Sequence, residues 1–209
     1  MKKSAYLVVG LILLILFLDQ WLKFWVKTHM FIGQNDIPIF GLRWARLSFV
    51  ENPGMAFGMA WRVSFGKLAL SLFRIVAIAF LSYFLRRLIL RGAAMGLLLS
   101  LAAILAGAIG NMIDGAFYGM IFSQSYPYSH SLARLFPVEG GYETFLHGRV
   151  VDMLHFYALF PQWVPYLKGT EVFPYIFNIS DSAVTCGVIS ILFFRYFTVQ
   201  TAPTPTLPA

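Results

Sequence analysis

Residues 177–194 read FNISDSAVTCGVISILFF, and from Ala183 onward the stretch has the composition of a membrane-spanning helix. Asp181 stands at its edge. An ionised carboxylate near a bilayer centre costs about 2.5 kcal/mol or more, so Asp181 needs a partner, water or a chemical role to hold its place. The surrounding chain has the same character: 59% of its 209 residues are hydrophobic and only 12% charged. A soluble domain of this size could not cover so much apolar surface with polar groups, so the chain reads as an integral membrane protein.

A helix needs roughly 20 apolar residues to cross the hydrocarbon layer. Four runs qualify: 5–26, 66–86, 93–113 and 174–198. The expected fold is therefore integral membrane and mainly α. It has four transmembrane helices, a small interfacial β-sheet or cradle, and an extended extracytoplasmic loop or helix. Residues 1–200 form one domain, and the proline-rich tail TAPTPTLPA at 201–209 reads as disordered. Lys2 and Lys3 before the first run resemble the start of a secretory signal. The run ends in DQWLK with no small-residue cleavage pattern, so it is read as a retained span.

Short basic segments mark the cytoplasmic side: Lys2 and Lys3, then Arg86, Arg87 and Arg91 between spans two and three, then Arg195. Both termini are expected there, with 27–65 and 114–173 outside. Within 40–60 an alternation around Leu42, Trp44, Leu47 and Phe49 runs into an Asn-Pro-Gly turn and predicts a short sheet at the membrane surface. The longer outer segment is rich in aromatics and prolines, as protein resting among lipid headgroups is.

One cysteine, Cys186, allows neither an internal disulfide nor a CxxC metal site. His29, His130, His147 and His155 show no metal-binding spacing, and neither a glycine-rich phosphate loop nor GxSxG occurs. No metal, cofactor or nucleic-acid partner is expected.

Polar residues nevertheless stand where apolar ones would be cheaper. Asp19 and Lys23 are four apart on one helix face, Asn52 precedes the Pro-Gly turn, and Asn111 and Asp114 close the third span. Asn178 and Asp181 repeat the three-residue spacing at the outer end of the fourth. Under the expected topology all of them reach the same membrane face. Asp19 with Lys23 also fits a structural ion pair, and the asparagines fit helix capping or cross-linking. Asp152 and Asp181 are harder to account for in this way, since each lies in an apolar run, VVDML and NISDSAV, with no adjacent cation. Two such carboxylates brought together share one proton; the ionised one can activate water while the protonated one donates to a carbonyl oxygen. That is aspartic peptidase chemistry. A small ion- or proton-coupled transporter would be the other use of intramembrane carboxylates, but the internal repeat that such proteins carry is absent.

DQWLK, ENPGMAFG, GNMID, VVDM and FNISDS, in that order along a four-span chain, together resemble lipoprotein signal peptidase, also called signal peptidase II. The resemblance implies Asp152 and Asp181 as the catalytic pair. It places Asp19, Lys23, Asn52, Gly54, Asn111, Asp114 and Asn178 around the substrate. It implies a membrane endopeptidase of the bacterial inner membrane, with its active site near the outer face. The substrate would be a prolipoprotein whose cysteine carries a diacylglyceryl group, cut on the amino side of that cysteine. Membrane lipids and globomycin-type inhibitors follow as expected partners. Two features depart from the pattern: Gly115 stands where many relatives have arginine, and residues 118–148 are inserted. Arg149 or Arg74 is expected to supply the missing positive charge.

Overall fold

The computed structural model describes residues 2–53, 64–163 and 165–200. Gly54 with the remainder of the Pro-Gly turn, and the tail 201–209, lie outside the described residues. Helix α1 spans Lys2–His29, α2 Ser64–Leu90, α3 Met95–Ile113 and α4 Ile179–Gln200. Strands β1 (Ile37–Pro38), β2 (Ala45–Asn52), β3 (Val150–Phe156) and β4 (Ile176–Phe177) form one antiparallel sheet in chain order. Among the described residues three helical stretches are long and apolar enough to cross a membrane: Lys2–His29, Leu68–Leu90 and Met95–Ile121. The 22 residues of α4 extend about 33 Å at 1.5 Å per residue, close to the hydrocarbon thickness.

Helix α3 is the centre of the bundle and packs against α1, α2 and most extensively α4. Small residues permit this closeness. A Cβ added at Gly107 would lie 2.2 Å from the Ser180 carbonyl oxygen, and one at Gly110 2.0 Å from Ser180 Oγ. Without a hydrophobic force between helices in lipid, such glycines let backbones approach and gain van der Waals contact. The α2–α3 turn closes on Gly92, whose φ of +70° suits a residue without Cβ. Its N–H donates to the Ile89 carbonyl and that of Ala93 to Leu88, the paired bonds that end a helix cleanly.

Two helix ends differ from the hydropathy reading. The chain enters the fourth helix at Ile179 rather than near 174, because Ile176–Phe177 pairs with β3 and Asn178 caps the helix. The third helix does not stop at 113. It passes through a π turn, Asp114–Tyr118, and a last turn, Gly119–Ile121. The inserted segment docks on this turn: Gly148 N–H donates to the Gly115 carbonyl, Leu146 to Ala116 and Glu143 to Gly119. A π turn misaligns the regular ladder, and here neighbouring chain takes up the carbonyls.

The sheet lies over a core of Val26, Met30, Phe49, Tyr118, Phe122, Val151 and Met153, which joins α1, the π turn and both long strands. The strand predicted around Leu42 to Phe49 begins only at Ala45, leaving Leu42 in the preceding turn. Between Leu47 and Val50 the pairing of β2 with β3 slips by one residue. Such a bulge re-aims side chains beyond it. Here it sets Val50 opposite Asp152, so Asn52, two residues on, shares the face of Asp152.

Candidate active site

Asp152 is buried on the middle of β3, and Asp181 lies in the first turn of α4. Asn178 joins them. Its amide nitrogen donates to Asp152 Oδ1 at 2.7 Å, while its side-chain oxygen accepts the Asp181 N–H at 2.8 Å. Asp181 Oδ2 in return accepts the Asn178 N–H at 3.2 Å, making a reciprocal cap over the first turn of α4. The three-residue spacing of FNISDS is thus a capping box whose acidic member also faces the second aspartate.

Asp181 Oδ1 accepts the Asn111 amide at 2.8 Å, and Asn111 Oδ1 accepts from Lys23 Nζ at 2.9 Å. Lys23 is fully buried and pairs with Asp19 at 2.9 Å and Asp114 at 2.8 Å. These two carboxylates have structural duties as well: Asp19 accepts the Ser180 N–H and Asp114 the Val151 N–H. One connected chain of polar groups therefore runs from Asp19 and Asp114 through Lys23, Asn111, Asp181 and Asn178 to Asp152. It ties α1, α3, α4 and β3 together at the edge of the bundle. Asn52 hydrogen-bonds Asp152 from β2.

Neither Asp152 nor Asp181 forms an ion pair with a described residue. Burial, reinforced by the charge of Asp181, pushes the Asp152 carboxyl up to about 7, against the opposing pull of Asn178, Lys23 and Asn52. Asp152 therefore retains a proton up to about neutral pH, while Asp181 accepts two N–H groups, one from the Asn111 amide and one from the Asn178 backbone. Among the described residues no group of three or more His, Cys, Asp or Glu side chains could hold a metal ion.

Of the other sequence candidates, Arg149 is engaged elsewhere. Its guanidinium pairs with Glu51 Oε2 at 3.2 Å and stacks over Tyr142. Glu51 also binds Lys27, which is buried among the Phe49, Phe122 and Tyr142 rings, and Ser125 Oγ at 3.0 Å. Sequence reasoning missed Lys27 and Glu51, although Lys27 follows Lys23 by one helical turn and Glu51 immediately precedes Asn52. It also missed Gln20, which donates to Asp114 at 3.0 Å and Asp19 at 3.1 Å while accepting from the Tyr118 hydroxyl.

With that geometry in place, comparison with known proteins is decisive. The signal peptidase (SPase) II family profile matches residues 11–197. The chain belongs to this family. It is 47% identical over 191 residues to the lipoprotein signal peptidase of Porphyromonas gingivalis, covering 88% of this chain and 80% of that protein. A lipoprotein signal peptidase of Amoebophilus asiaticus is 32% identical over 207 residues, covering 96% of this chain and 82% of the relative. Two solved structures described as bacterial membrane enzymes share the fold. One has a TM-score of 0.59 at 17% identity, over 96% of this chain and 94% of the other. The second has a TM-score of 0.56 at 23% identity, over 89% and 90%. The chain is thus a multi-pass bacterial membrane peptidase of the signal peptidase II family, and nothing favours the transporter reading.

Proposed function

We propose that Asp152 and Asp181 are the catalytic pair of this signal peptidase, and that it cleaves diacylglyceryl-modified prolipoproteins on the amino side of the lipidated cysteine. The observation that supports this most directly is their meeting on Asn178, 29 positions apart in sequence, in a site otherwise rich in compensated charge. Asp181 accepts two N–H donors that hold it in place, and burial favours a protonated Asp152.

Asp181 then removes a proton from water as the oxygen attacks the scissile carbonyl, and Asp152 gives its proton to the carbonyl oxygen. Collapse of the tetrahedral species breaks the C–N bond. The proton held by Asp181 passes to the leaving amine, and Asp152 recovers one from the hydroxyl that becomes the new carboxylate. One water is consumed and the pair returns to its single-proton state. Asn111 and Asn178 hold Asp181 in place, and Asn52 holds Asp152. Lys23, locked between Asp19 and Asp114, keeps Asn111 oriented so that its amide points at Asp181.

A lipidated substrate and its signal helix both arrive through the bilayer, so the cleft is assigned to the outer face, beside the sheet and its exposed aromatics Phe40, Trp44 and Trp163. Globomycin-type cyclic peptides would compete for it. The test is purified protein with a prolipoprotein reporter, with and without the diacylglyceryl group. Cleavage of the lipidated form alone, blocked by globomycin, is expected; equal cleavage of both forms would remove lipid recognition from the reading.

A further inference from the structure

Helix α2 carries one basic residue inside its apolar run, Arg74, half-buried where a guanidinium is expensive in lipid. All nine Asp and Glu side chains lie among the described residues, and none forms an ion pair with it. No hydrogen bond to a described residue engages it either. Arg74 instead lines a small open cleft with Leu70 and Ser71 of its own helix, Gly115 of the π turn, Gly148, and Pro53 and Val150 of the strand ends. This cleft adjoins the aspartates: Pro53 follows Asn52, and Val150 shares with Asp152 one face of β3. Asp181 and Asp114 are the carboxylates whose fields reach the guanidinium.

The cleft exists because side chains are absent. Gly148 cannot be replaced without collision, since a Cβ there would lie 2.3 Å from the Asp114 carbonyl oxygen. A Cβ at Gly115, by contrast, meets nothing within 4 Å, so among the described residues no side chain fills the opening beside it. Ser71, one turn before Arg74, fixes this part of α2 by donating to the Leu146 carbonyl at 3.2 Å. Of the two arginines considered from the sequence, Arg149 is already paired with Glu51.

We infer that Arg74 is a substrate-binding residue, whose guanidinium donates to backbone carbonyl oxygens of the lipidated peptide as it lies in the cleft between α2, the π turn and the ends of β2 and β3. An extended peptide beside the aspartates presents acceptors that the bilayer cannot satisfy, and a planar group with five donors matches them. The inference rests on the peptidase reading, and it makes Arg74 a binding group rather than a proton carrier.

The experiment uses the full-length enzyme and the lipidated reporter, with Asp181→Asn as the inactive control. Parent cleavage that Asp181→Asn abolishes establishes the reading by itself. Arg74→Gln should then raise KM by about tenfold to a hundredfold with kcat and its pH profile little changed, the signature of lost uniform binding by a charge-assisted hydrogen bond. Arg74→Gln with Gly115→Arg should recover most of the loss, because the second arginine enters the same cleft from its opposite wall. Unchanged KM in Arg74→Gln, or a fall in kcat with a displaced pH profile, would overturn the assignment, as would failure of a folded double variant to recover. A parent protein that does not cleave the reporter would sink the peptidase reading and this inference with it.

Discussion

Asp181 holds a position that serves structure and, in the proposed mechanism, chemistry as well. It caps α4 through Asn178 and faces the second acid through the same residue, so substitution must separate the two roles. Asn can replace Asp as the acceptor of the cap but not as a base. Asp152→Asn and Asp181→Asn should each lower cleavage on the order of a thousandfold while thermal unfolding stays near the parent's. The double variant should be little worse than either, since residues acting as one unit do not contribute additively. Additive losses in single-turnover cleavage would argue against a shared proton. The pH dependence has a definite sign. With the Asp152 carboxyl pushed up to about 7, its proton is present below that pH and lost above it, so kcat/KM should fall as pH rises through about 7. Asn52 donates to the charged form and thereby holds this value down. Asn52→Ala should move the alkaline limb to higher pH; a limb that stays fixed or moves to lower pH would remove Asp152 as the acid. The proposed pair could be singled out in the sequence because both carboxylates lie in apolar runs, VVDML and NISDSAV, with no adjacent cation, whereas the capping role of Asp181 shows only in the fold. Lys27 with Glu51 could not, because only folding shows that a surface-like residue is enclosed by three rings.

The elements show where reading by hydropathy works and where it ends. Hydropathy finds a helix as long as the composition stays apolar, so the bodies of α1, α2 and α3 were legible. It cannot register a π turn, whose residues DGAFY look like the end of a span, or a strand such as Ile176–Phe177 that is as apolar as the helix it precedes. Small residues were a weaker signal with a large consequence. Gly107 and Gly110 in AGAIG bring the α4 backbone against α3 and so set Asn111 opposite Asp181. Gly110→Ala would put a Cβ 2.0 Å from Ser180 Oγ and 2.8 Å from Asp19 Oδ2. We expect a loss of about 1–3 kcal/mol with reduced cleavage, as for other overpacked sites. Gly10→Ala, where a Cβ meets nothing within 4 Å, is the control and should leave unfolding unchanged or later. Thermal unfolding of both variants in one detergent decides it, and equal midpoints would show that the α3–α4 approach tolerates a methyl group.

Across the whole molecule, the sheet gathers at one end of the bundle. Helix α1 leads into it, α4 leaves it, and the π turn at the end of α3 hydrogen-bonds to β3 through Asp114. The opposite end holds the first residues of α1, the last of α4 and the tight α2–α3 turn with Arg86, Arg87 and Arg91. Short loops rich in Lys and Arg stay cytoplasmic, because the cost of translocating them falls on few residues. We propose that the chain crosses the membrane four times with both termini in the cytoplasm, the side that this charge distribution favours. In that orientation the sheet, the aspartates and the aromatic segments would face outward, the side from which the proposed lipidated substrate would reach them. Fusions test this directly: green fluorescent protein at either terminus should fluoresce, and alkaline phosphatase there should be inactive. Alkaline phosphatase inserted after Glu139, an exposed position in the outer segment, should be active. Active phosphatase at a terminus would reverse the whole molecule and place the catalytic pair in the cytoplasm. The short-loop argument would then be wrong even if the chemistry were right.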